Sequence, residues 1–575
     1  MIGVSNPLYI YPMRKLTQFI FFLCLIFLRF SCFSQGHDFE WVRIVNVSKY
    51  GQAESIITDL NGDVYISGNF YGEADFDPGD GQFNLTSSIY GSDLFIQKLN
   101  SNGELAWAKY IGQRSYNFNT FITTDVFGNI YMTGHYKGEF EYETADGTFV
   151  MDSNETISAF VMKLDSNGDV IWGKSYGFAW PYAITTDNLG NVFTTGRFRD
   201  TVDFDPNEGV FNLTTEIQEG VFIQKLDSEG NLIWAKSMNG YGSGACKGIV
   251  TDLEGNVYLT GEYESTIDFD PGAEDLNLTS KGGKDIFVQK LDIDGDLVWI
   301  KSFGSEYDDL SRSIIIDNFS NVYLTGHFKN IIDFDPSENE FLLESNGAGD
   351  GFILKLNSDG EFRWAKSIGN YWNVDDIPSI TMDVYGDIYV TGKFLDEVDF
   401  DPGVDVFYLT SLDHYDFYIL KLDSSGNFIW AKTMGGESSD VSKSITSDNW
   451  GNLYVTGNFS GDCDFDSDTA NINFTSFGNG DIFVQKLTRF LENEQNGTLD
   501  AAYIFPNPNS GLVNIELGNL KDLSLKVITI TGQLIYQKEN INTSFYQFEI
   551  NTAPGIYIIE ISSNEETQQY KLVKK

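Results

Sequence analysis

Six segments of this chain repeat the triplet Asp-Phe-Asp, and these are the residues whose spacing first suggests chemistry. The carboxylate pairs are Asp75 and Asp77, Asp203 and Asp205, Asp268 and Asp270, Asp333 and Asp335, Asp399 and Asp401, and Asp464 and Asp466; a seventh segment reads Glu141-Tyr-Glu143. In extended backbone, residues i and i+2 share a face, so each pair presents two carboxylates together while the aromatic between them points inward. With backbone carbonyls and water, such a pair could complete the roughly six to eight oxygens that Ca²⁺ takes. None of the six has EF-hand spacing. The alternative is structural: Phe anchors a wide loop while Asp caps turns or pairs with lysine. Seven Lys-Leu lysines, from Lys98 to Lys486, and a second series (Arg43, Lys109, Lys174, Lys236, Lys301, Lys366, Lys432) recur at fixed positions and could be those partners. The structural reading is favoured, and Ca²⁺ is the one cofactor the sequence suggests.

Aromatic residues form a second candidate set. Tyr50, Tyr116, Trp180, Tyr182, Tyr241, Tyr307, Tyr371 and Trp372 all fall in the connections that lead from one repeat to the next. Spaced aromatics suit stacking on sugar rings or docking a protein. They equally suit sealing the ends of the sheets. A third position varies among its repeats: Asn69, His135, Arg197, Glu262, His327, Lys393 and Asn458 each follow a recurring Gly. Variety there reads as solvation, with a channel-lining role as the alternative.

Catalysis finds little footing. The four histidines (His37, His135, His327, His414) show no metal-binding spacing. There is no Gly-x-Ser-x-Gly elbow, phosphate loop or Cys-x-x-Cys pair. Carboxylates are too numerous to single out an acid–base pair.

The elements that must position these residues come from an internal repeat. A segment such as Asp59-Leu-Asn-Gly-Asp-Val-Tyr-Ile-Ser-Gly68 recurs, ending at Gly134, Gly196, Gly261, Gly326, Gly392 and Gly457. A Trp segment recurs at Trp41, Trp107, Trp172, Trp234, Trp299, Trp364 and Trp430. Each unit reads as four strands, A to D, with Asp-x-x-Gly turns between A and B and between C and D. Only Ser320 breaks the glycine rule of the A–B turn. Strand D near Trp41 has no strands A to C before it, and the last strand C, Asp481 to Leu487, has no Trp strand after it. Joining the two completes a seventh sheet and leaves no open edge. The fold expected is all-β: a seven-bladed β-propeller whose N-terminal strand closes the last blade, then a small Ig-like β-sandwich.

Composition sets the surroundings. The formal charge is −46, and removing residues 1–35, with three cations and no acids, takes it to −49. So acidic a surface disfavours nucleic acid and anionic membrane as partners. Arg14 and Lys15 before the apolar run Phe19 to Leu28 read as a signal peptide, too short to span a membrane, with Met1 or Met13 as the start. Arg29 and Phe30 fit a lipobox at Cys32 poorly. Cys246 and Cys463 lie about three repeats apart, which argues against a bridge.

Units with Gly-Asn-Val-Tyr-Leu-Thr-Gly, Ile-Asp-Phe-Asp-Pro-Gly and Asp-Ile-Phe-Val-Gln-Lys-Leu-Asp resemble the SBBP-type bacterial β-propeller repeat, which implies fold and no single activity. The stretch Phe505-Pro-Asn-Pro-Asn-Ser-Gly511, the Thr531-Gly-Gln533 centre and Gly555-Ile-Tyr557 before a Lys tail resemble the C-terminal sorting domain of type IX secretion. That resemblance implies the secretion machinery as a partner, and a product released from or attached to the outer surface of a Gram-negative bacterium. The expected domains are a signal peptide (1–35), the propeller (36–488), a linker (489–500) and the sorting domain (501–575). The expected function is non-catalytic binding or adhesion toward a glycan or surface protein. A polysaccharide lyase or hydrolase, or a structural surface-layer component, are the alternatives.

Overall fold

Each Asp-x-x-Gly turn closes because the aspartate satisfies the turn's own backbone. Asp59 Oδ1 accepts the N–H of Asn61 at 2.8 Å and of Asp63 at 3.0 Å, while Gly62 takes a φ of 77°. The same bonds form at Asp125, Asp187, Asp252, Asp317, Asp383 and Asp448. Ser320 keeps the geometry without glycine, at φ 57°.

The structure is a computed structural model that describes residues 36–575 apart from 80, 89–90, 216–218, 273, 371–375, 467–471, 490–502, 506–511, 518–520, 530–533, 551, 553–554, 564–566 and 575. The signal peptide and nearly all of the linker lie outside the described residues, as do Pro506 to Gly511 and the Thr531-Gly-Gln533 centre of the expected sorting domain. Among the described residues there is no α-helix, and so none long and apolar enough to cross a membrane.

Turns of this kind give seven antiparallel four-stranded arrays among the described residues. In sheet one, strands A to D are Tyr50–Thr58, Val64–Tyr71, Asp93–Leu99 and Leu105–Ile111. The first strand of each sheet packs against the first strand of the next, and that of sheet seven (Val441–Ser447) against that of sheet one. The strands therefore follow a closed cycle. The apolar core is divided the same way, into one cluster between each pair of neighbouring sheets.

Both ends of the repeat region build sheet seven. His37–Val47 pairs antiparallel with Asp481–Arg489, from His37 opposite Arg489 to Val45 opposite Ile482. The junction lacks a C–D turn, and His37 fills the gap. In sheets one to five a Trp indole donates to the C–D turn of the next sheet, as Trp107 does to Ser166 O (3.2 Å) and Trp299 to Ser358 O (3.1 Å). Trp430 instead meets the His37 ring at 5.7 Å, and Nε2 of His37 bonds Gly451 O at 2.8 Å.

The second unit departs further than its sequence suggests. Its strands B and C run on as Ile130–Thr144 and Gly147–Leu164, one long hairpin with Glu141 opposite Val150. Glu141-Tyr-Glu143 thus sits in continuous strand instead of a loop, because a close turn at Ala145 and Asp146 lets the ladder extend.

The last domain places Tyr503–Phe505, Leu512–Glu516 and Phe545–Glu549 in one sheet. Leu523–Thr529, Leu534–Ile541, Gly555–Ser562 and Thr567–Lys574 form a second, and Val513, Ile515, Leu525, Val527, Ile559 and Ile561 share a core between them.

Candidate functional site

The Asp-Phe-Asp segments form small ribbons that lock sheets together. Asp75 Oδ1 accepts the N–H of Asp77 at 3.1 Å and of Phe83 at 2.9 Å, and Asp77 Oδ1 accepts that of Gly79 at 2.9 Å. Asp203, Asp268, Asp333, Asp399 and Asp464 make the same two bonds, at 2.7–3.1 Å. Asp205, Asp270, Asp335 and Asp401 each cap a residue two further on. The phenylalanines Phe76, Phe204, Phe269, Phe334, Phe400 and Phe465 are fully buried. Each ribbon also touches the outer strand of the preceding sheet, as in Asn46 opposite Asp75 and Asn239 opposite Asp268.

The recurring lysines named here turn to other carboxylates. Lys98 meets Asp63 at 2.9 Å, Lys421 meets Asp387 at 2.8 Å, and Lys109 and Lys236 meet Asp169 and Asp296 on the next sheet. The reason is reach: strand C ends beside the A–B turn, not beside the ribbon. Among the described residues, no three His, Cys, Asp or Glu side chains gather as metal ligands would.

The aromatic candidates divide. Tyr241 and Tyr307 stand out of the surface, 74% and 53% exposed, and Tyr50 is exposed with its hydroxyl on Gln52 Oε1. Trp180 is buried, with the Arg197 guanidinium 4.8 Å from its ring centroid, and Tyr182 is half-buried. Strand A of sheet three (Ala179–Thr186) starts early enough to draw both into the sheet. Tyr371 and Trp372 lie outside the described residues, and for Tyr116 only the backbone is described.

What the sequence reading missed is a bulge. In each strand A one residue is left without a partner across the ladder: Glu54, Asn119, Tyr182, Lys247, Arg312 and Lys443, with Pro378 in the equivalent place of sheet six. The bulge explains the recurring strand-B glycine, since a Cβ on Gly68 would lie 2.0 Å from Gln52 O. It also brings the residue after that glycine against the bulged side chains. These varied residues are therefore less solvated than expected. His135, Glu262 and His327 are buried, and Asn69, Arg197, Lys393 and Asn458 are half-buried. The signal available in sequence was the mixture of charges at a position flanked by fixed core residues.

Around sheets three to five these two sets meet in a charged cluster. Lys247 Nζ lies 3.8 Å from the Tyr182 ring centroid and 3.7 Å from Glu262 Oε1, which Lys284 approaches at 3.2 Å. Arg197 pairs with Glu219 at 2.7 Å, and Arg312 with Asp376 at 3.1 Å. Burial pushes the Lys247 ammonium down; Glu262 opposes this, and Arg312, Arg197 and Lys284 add to it. Burial and then Arg197 hold His135 down at about 4. Arg197, Glu219, Lys247, Glu262 and Lys284 border a cavity of about 60 Å³.

Buried carboxylates form another group. Asp416, at the start of a strand C, and Asp440, before a strand A, are pushed up by burial to about 7 and about 8.

Residues 503–575 match the family described as secretion system C-terminal sorting domain. The chain therefore carries a type IX export signal and is secreted or held at the cell surface. The chain is 22% identical over 443 residues to an uncharacterized WD repeat-containing protein of Acanthamoeba polyphaga mimivirus, covering 63% of this chain and 32% of that protein. It is 22% identical over 199 residues to the regulatory protein FlaEY of Caulobacter vibrioides, covering 34% and 20%. The chain thus spans a third or less of the length of either relative. Among solved structures, a structural genomics protein of unknown function from Bacteroides thetaiotaomicron is similar at 12% identity and a TM-score of 0.26, covering 76% of this chain and all of that one. A GH43 protein of Bacillus licheniformis follows at 8% and 0.22, covering 78% and 98%. Scores this low carry no argument about fold or activity.

Proposed function

We propose that residues 36–488 are a seven-bladed β-propeller of the SBBP repeat type and that the D-to-A connections leading from one sheet to the next gather on one side of it, a loop face that is a non-catalytic binding surface for an extracellular glycan. The cyclic contacts of the first strands, the shared seventh sheet and the WD-repeat relative support the propeller. One observation carries the binding reading. Tyr241 and Tyr307, the most exposed rings of the aromatic set among the described residues, precede the two strands that bear Lys247 and Arg312. Exposed rings beside fixed polar groups are how proteins hold sugars by stacking while hydrogen bonds set orientation. The ribbon carboxylates are engaged by backbone N–H groups and serve the scaffold.

The test is a glycan array probed with the purified protein, then titration of the best ligand against Tyr241→Ala and Tyr307→Ala. Binding weakened at least tenfold by either variant fits the proposal. Unchanged binding in both, or shortening of the glycan during incubation, counts against it.

A further inference from the structure

We infer that the bulge cluster of sheets three to five is a seat for an oxyanion, so that the ligand of the loop face is an acidic sugar, a pyranose ring carrying a carboxylate or a sulfate. The inference rests on the loop face being the binding surface. It starts from a reversal of charge. The bulge positions and the positions after the strand-B glycine carry Lys247, Arg312, Lys443, Arg197 and Lys393 against only Glu54 and Glu262, in a chain of formal charge −46. A cationic lining enclosed by low-dielectric sheets holds its field where solvent screens it least.

The cluster is also incompletely satisfied. Nε of Arg197 and Oε2 of Glu262 are both buried without a hydrogen-bond partner, and Glu262 is only 5% exposed. Two lysines share the other oxygen of Glu262, so positive charge there exceeds what the carboxylate offsets. An arriving oxyanion would accept hydrogen bonds from guanidinium and ammonium N–H groups, while a sugar hydroxyl would donate to Glu262 Oε2. The cavity beside them, about 60 Å³, is bordered by Arg197, Lys247, Lys284 and Glu262, with Ser243 on its rim. We place the sugar ring at the mouth of this cavity, toward Tyr241, which precedes the rim residue Ser243 by two positions.

The acidity of the remaining surface makes the test clean, because polyanions are repelled elsewhere. Calorimetric titration would use galacturonate oligomers, chondroitin sulfate oligomers and methyl-esterified galacturonate oligomers. At least one acidic probe should bind, and the esterified probe at least tenfold more weakly than galacturonate if the carboxylate is the group held. Lys247→Gln should weaken the acidic probe at least tenfold, and Lys236→Gln, whose lysine pairs with Asp296 away from the cluster, should not. Failure of both acidic probes overturns the inference. So does equal binding to Lys247→Gln and the parent protein. If neutral sugars still bind and Tyr241→Ala still weakens them, only the oxyanion seat has failed and the loop face stands.

Discussion

Closure of the cycle by the N-terminal strand can be tested by a covalent link between chain segments about 450 residues apart. Asp38 lies opposite Thr488 in the ladder of sheet seven, Asp38 exposed and Thr488 half-buried. Directly opposed antiparallel residues have Cα atoms about 4.5–5.5 Å apart, inside the range a disulfide spans. The double variant Asp38→Cys/Thr488→Cys should therefore oxidise in the native state. Cys246 and Cys463 are buried, and burial pushes both thiols up, so they compete little. In the chain-entropy relation a loop of about 450 residues gives about 6 kcal/mol, an upper value before strain. For a unit of that size the unfolding entropy is roughly 0.9 kcal/mol per degree, so the oxidised form should melt about 6 °C above the reduced one. Mass spectrometry of a non-reduced digest identifies the linked peptides, and calorimetry gives the shift. No linked peptide after mild oxidation would refute the closure. A linked protein melting at the same temperature as its reduced form would show that this ladder opens before the cooperative transition.

Stability should fall as pH rises from 6.5 to 8.5. The carboxyl groups of Asp416 and Asp440 hold their protons in the folded chain up to about 7 and about 8, whereas the unfolded chain releases them near 3.9. Their contribution is full below the unfolded value and is lost as pH climbs through the folded ones; urea midpoints should show it, with a smaller slope in Asp440→Asn. His37 and His135, with folded values near 3 and 4, act below this window. Phe269→Ala, which empties a fully buried ribbon anchor, should cost about 3–5 kcal/mol by denaturant titration. Millimolar calcium should move the melting temperature by less than about 1 °C against chelator, because Asp268 Oδ1 and its counterparts already accept two backbone N–H groups each; a saturable rise of several degrees would show a site.

Much of the architecture could be read before any coordinates. Seven phased Trp, Gly and Lys-Leu series, with strand D first and strand C last, fix a sheet built from both ends, and the ladder from His37 to Val45 follows that phase. The export domain was legible through its resemblance to the type IX sorting domain, and residues 503–575 match that family. These are local properties, decided by backbone hydrogen bonding and side-chain alternation over a few residues.

The candidate site was not local. The strand-A bulge shifts the ladder by one residue, which period-two reasoning does not anticipate. That shift sets Lys247 and Glu262 of one sheet beside Arg197 of its neighbour. The fate of the Asp-Phe-Asp carboxylates likewise depended on which N–H groups the folded ribbon turned toward them. Sequence determined which strands exist, their order and where the chain is sent. Tertiary structure decided which charges became neighbours and how far each was buried, because Coulomb interaction and desolvation depend on distances across sheets that no spacing along the chain records.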